Sequence, residues 1–114
     1  MKKYLLFLIA VCLSFAMYGQ TTLISPTGDG GFENGATPAL NNWTALASGV
    51  DAWAVGATPT PTAGTNCGYI STDGGTTWTY SLISTIEHLY YDVTIPAGQP
   101  KVTLTFKWKA GGLS

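Results

Sequence analysis

The chain has 114 residues, 46% of them apolar and 10% charged, with a formal net charge of −1, which leaves room for one domain. It contains no arginine, and with Lys2 and Lys3 set aside as part of a leader, three lysines stand against six acids, a net charge of −3. Such a surface is a poor partner for phosphate backbones or anionic lipid, which argues against nucleic-acid binding and membrane adsorption.

Residues 1–19 read as a secretory signal peptide: a basic start, an apolar run from Tyr4 that continues through Phe15, and small or polar residues at Tyr18, Gly19 and Gln20. The apolar run is shorter than the roughly 20 residues a membrane span needs. Cleavage after Gly19 is therefore expected, with no membrane insertion afterwards and a secreted or cell-surface destination. Cys12 invites a lipid anchor, but Val11 before it is not the small residue that such a site requires. Cys67 is then the one cysteine of residues 20–114, so no internal disulfide is expected and the fold must rest on its core.

Thr21–Ser25 is a short candidate strand stopped by Pro26, and Phe32–Glu33 a second extended piece ended by Asn34 and Gly35. Leu40–Ala47 is ambiguous by period, although Trp43 and its threonine neighbour favour strand. Val50–Ala57 is a better strand, with Asp51, Trp53 and Val55 on one face. Thr58–Thr65, TPTPTAGT, is a surface loop, because its prolines remove ladder donors. Cys67–Thr72 and Thr77–Ser84 are expected as two strands of a hairpin joined by Asp73-Gly74-Gly75.

The stretch from Glu87 to Lys109 has the clearest alternation. Leu89, Tyr91, Val93 and Ile95 share one face, and after the turn PAGQP a second row forms from Val102, Leu104, Phe106 and Trp108, opposite lysines and threonines. Seven or eight short strands and no persuasive helix predict an all-β fold, an antiparallel β-sandwich of jelly-roll type. The chain stops at AGGLS just after its best strand, so the sandwich is expected to be incomplete at the C-terminus.

Several residues bear on chemistry. Ser71 to Trp78, STDGGTTW, resembles the Asp-box of sialidases and related propellers, whose Asp and Gly shape a turn and whose Trp packs beneath it; its role is structural, and one copy makes no propeller. Aromatic faces suit sugars, and Tyr80 and Tyr90 are the candidates for exposed platforms, with Trp43 a third. Trp43, Trp53 and Trp108 are of a type more often found in a core. Asp29, Glu33 and Asp51, with Asn34, offer oxygens of the kind calcium takes, though at no recognised spacing; solvated loop acids are the simpler reading. His88 is the sole histidine, and neither a facing pair of acids nor a nucleophile with a nearby base stands out, so no enzyme activity is expected. Asn42-Trp43-Thr44 spells an N-glycosylation sequon, given little weight behind a leader of bacterial style.

Read together, GGFENG, NNW, DAW, GYIST and LYYDVTIPAGQPKVTLTFKWKAGG are similar to the N-terminal jelly-roll domain, MAM-like, cleaved-adhesin-like and galactose-binding-like, of large surface proteins exported by the type IX secretion system. The resemblance spans nearly all of residues 20–114. It implies a non-catalytic adhesion or carbohydrate-binding module, with an extracellular glycan or a host or surface protein as partner. It also implies calcium as a candidate cofactor, held in part by Glu33 in the Phe32-Glu33 segment. Two other readings stay open: an accessory domain of a secreted peptidase or glycosidase, and a structural spacer without ligand.

Overall fold

The computed structural model describes residues 20–111. The expected leader, with Cys12 in it, lies outside the described residues. Among the described residues regular structure is sparse and all of it β or 3-10: four strands, β1 (Thr44–Leu46), β2 (Ala52–Gly56), β3 (Cys67–Ser71) and β4 (His88–Tyr90), and two single 3-10 turns over Asp29–Gly31 and Ala39–Asn41. The strands form two separate antiparallel sheets of two strands each, β1 with β4 and β2 with β3. This agrees with the all-β expectation at the level of class.

The β2–β3 ribbon is the best-built part. Trp53 stands opposite Ile70 and Val55 opposite Gly68, and the predicted inward row is observed, since Asp51 and Val55 are buried and Trp53 is half-buried. The TPTPTAGT loop connects the two strands. Phe32 covers Gly68 so closely that a Cβ there would sit 2.9 Å from the ring, which is why a glycine interrupts the strand. Val55 and Tyr69 are the buried apolar side chains among the described residues.

Elsewhere the elements differ from expectation. Thr21–Ser25 is not a strand, and Phe32, expected to be extended, adopts the left-handed region with φ 59° at the end of the first 3-10 turn. Only Thr44–Leu46 of the Leu40–Ala47 stretch is strand, because Ala39–Asn41 is wound into the second 3-10 turn. Residues 77–84 form no strand. Ser81 and Thr85 bond instead to the Asp51 carboxylate.

Between Glu87 and Lys109 only His88–Tyr90 pairs, with Leu46, Ala45 and Thr44 in register. The PAGQP turn forms, with Gly98 at φ 79°. Beyond it 101–109 belongs to neither sheet, and an extended segment without a neighbour has no ladder to hold it. Its apolar row is therefore outside: Val102, Leu104, Phe106 and Trp108 are 54% to 76% exposed, so Trp108 is not a core residue. Two contacts fix the far end of this segment, Lys109 Nζ donating to the Thr60 carbonyl at 3.3 Å and Gly111 lying against the Trp78 ring.

Candidate functional site

The polar side chains of this molecule are mostly occupied in holding chain to chain, and the arrangement begins at the first 3-10 turn. The Trp43 indole N–H donates to the Asp29 carbonyl at 2.7 Å, while its ring stacks on Phe32 and meets the edge of Tyr91, both at 5.4 Å between centroids. The Asp29 carboxylate accepts from Asn42 Nδ2 at 2.9 Å, from the Tyr91 hydroxyl at 3.0 Å and from Asn34 Nδ2. Donation by Asn42 foremost, then Tyr91, holds the Asp29 carboxyl below its ordinary range, and bonding to Asp29 pushes the Tyr91 phenol up.

Asn41, next in the chain to Asn42, is the organising residue of the second turn. It is fully buried; its Oδ1 accepts from the Asn34 N–H, and its Nδ2 donates to the Gly35 and Thr37 carbonyls, all at 2.9 Å. Asn42 itself sits at φ 59°, a conformation asparagine tolerates better than most residues. The sequence alone does not single out Asn41, and it marks Asn42 only as the first residue of the Asn42-Trp43-Thr44 sequon. The signal available was the pair of asparagines directly after Pro38-Ala39-Leu40.

Glu33 reaches across the chain to the loop before β3. It accepts the Thr65 and Asn66 backbone N–H groups at 2.8 and 3.0 Å, together with the Thr65 hydroxyl. The Thr65 hydroxyl first, then the Asn66 N–H, lower its carboxyl below the usual range. Asp51 is buried and takes the Ser81 N–H at 2.8 Å and the Thr85 hydroxyl at 2.8 Å. Burial raises its carboxyl, but the bonds from Thr85 and Ser81 outweigh that and the net shift is downward.

The Asp-box segment makes the turn its motif implies. Ser71 Oγ accepts the Gly75 N–H at 2.9 Å and donates to Asp73 at 2.7 Å; Asp73 in turn accepts the N–H and hydroxyl of Thr77 at 2.9 and 2.7 Å. These bonds, led by the Thr77 N–H, bring the Asp73 carboxyl down to about 2. Gly74 and Gly75 supply the positive φ that the reversal needs. Tyr69 closes the turn from inside, its hydroxyl donating to the Gly75 carbonyl at 2.6 Å. Trp78 is exposed rather than tucked under a hairpin.

Asp29, Glu33 and Asp51 do not come together. Among the described residues no three or more His, Cys, Asp or Glu side chains are grouped so as to hold a metal. The oxygens of each acid already face N–H or O–H donors, and backbone N–H groups such as those of Thr65 and Asn66 on Glu33 cannot ligate a cation. These residues do not fit the calcium that the resemblance implies.

The aromatic candidates separate. Trp43 is half-buried, stacked and bonded, so it is part of the scaffold. Tyr90 is 42% exposed on β4, on the face opposite Leu89 and Tyr91 and in register with Thr44. Tyr80 is exposed in the irregular stretch after the Asp-box. Cys67 is half-buried, its thiol donating to the Pro59 carbonyl at 3.3 Å and pushed up by burial, which suits a packing role. No described helix is long and apolar enough to cross a membrane. Compared with protein-family models, with curated proteins and with solved structures, the chain matches none.

Proposed function

We propose that this chain is a secreted, non-catalytic adhesion or carbohydrate-binding module of jelly-roll-like sandwich type, presented outside the cell or on its surface. The observation that carries the reading is Tyr90, whose ring stands exposed on a paired strand. A strand fixes the ring's direction more firmly than a loop does, and an aromatic face so held stacks on the apolar face of a pyranose. The acids Asp29, Glu33, Asp51 and Asp73 are engaged in holding turns and loops, so the reading rests on the aromatic ring and not on carboxylates.

Binding of the full chain to a glycan array tests this. A retained glycan whose binding falls about tenfold or more in Tyr90→Ala and persists in Thr103→Ala is the expected result. Retention of no glycan, or equal binding by Tyr90→Ala, overturns it.

A further inference from the structure

Segment 101–109 carries an interaction surface that the glycan reading does not use. By its sequence alternation one row of the segment holds Val102, Leu104, Phe106 and Trp108, all four exposed. The other row holds Lys101, Lys107 and Lys109, which are all the lysines of the chain outside the leader. The segment pairs with no strand among the described residues, and it is tethered at both ends, by the turn at Ala97–Gly98 and by the contacts of Lys109 and Gly111.

Charge decides what suits this edge. A second copy paired antiparallel about Thr105 would set Lys101 against Lys109, and an in-register parallel copy would set each lysine beside its twin. Like charges directly opposite one another destabilise a sheet, and lysine on an open edge is a common device against self-pairing. A strand with carboxylates at those positions turns the same repulsion into attraction.

We propose that segment 101–109 receives an added β-strand from a partner polypeptide whose residues alternate between apolar and acidic. The partner's apolar residues cover Val102, Leu104, Phe106 and Trp108, and its acids meet Lys101 and Lys107, Lys109 being held by the Thr60 carbonyl. Backbone pairing supplies affinity in a new two-stranded ribbon, and the two rows supply register. The site is separate from Tyr90, so the glycan result and this one are independent.

The probe is a fluorescently labelled nine-residue peptide alternating Val and Glu, titrated into the full chain and read by anisotropy, beside its Val/Lys counterpart. The Val/Glu peptide is expected to bind and the Val/Lys peptide not to. Reversing charge in Lys101→Glu/Lys107→Glu should weaken the first by about tenfold or more and admit the second. A gain of binding cannot come from failure to fold. Equal binding of the two peptides, binding of neither, unchanged preference in the double variant, or concentration-dependent self-association of the chain would each overturn the proposal.

Discussion

The turn-rich part of the molecule, residues 28–91, and the segment 101–109 invert the usual distribution of side chains. In the first, the most deeply buried groups are polar: Asn41 at 0%, Ser71 at 1% and Asp51 at 3% exposure. In the second, leucine, phenylalanine and tryptophan stand in solvent. The difference teaches that this part is specified by side chains closing loops on backbone groups. Apolar content alone, without a strand to lie against, does not make a core. A buried polar group that loses its partner carries its full desolvation cost, whereas an exposed leucine has little to lose.

Acid should produce the largest effect. Asp29, Glu33, Asp51 and Asp73 all have carboxyls below their ordinary values, and Asp73 lies at about 2. A depressed carboxyl contributes stability that is fully present above its unfolded value and is lost as pH falls through the folded one. Near-ultraviolet circular dichroism of the packed aromatics should thus survive to about pH 4.5 and collapse towards pH 2. A flat signal down to pH 2 would break the comparison.

Next in size, Asn41→Ala strands the Asn34 N–H and the carbonyls of Gly35 and Thr37, and should cost about 2–4 kcal/mol in urea unfolding. Ser71→Ala removes the hub of the Asp-box turn and should cost about 1–3 kcal/mol, read the same way. The smallest effect sharpens the contrast. Leu104→Ser and Phe106→Ser should each change stability by less than about 0.5 kcal/mol, since both side chains already face water. A loss above about 1.5 kcal/mol would place them in a core.

Much of the frame was legible in the residues. The strands β2 and β3, the proline loop between them, the Asp-box turn and the turn at Ala97–Gly98 follow from alternation and turn chemistry, which act over a few residues. The turn signal at Asp73-Gly74-Gly75 predicts a strand over Thr77–Ser84 and alternation predicts one over 101–109, but a strand also needs a neighbour. Neither has one among the described residues, and Ser81 and Thr85 bond instead to Asp51. In the candidate site, the exposure expected for Tyr80 and Tyr90 is observed. The three acids expected around a metal are instead held singly by distant donors, and the spacing of acids along a chain carries no information on which amides will face them.

Asp29 to Tyr91, Glu33 to Thr65 and Asn66, and Asp51 to Ser81 and Thr85 each join positions 30 to 62 residues apart. Small domains with little core commonly obtain such long-range ties from disulfides, which a change of redox state opens. In this chain the ties are fastened by carboxylates, so the agent that opens them is a proton. These ties are indifferent to a reducing environment, where a disulfide scaffold fails, and loosen in an acidic one.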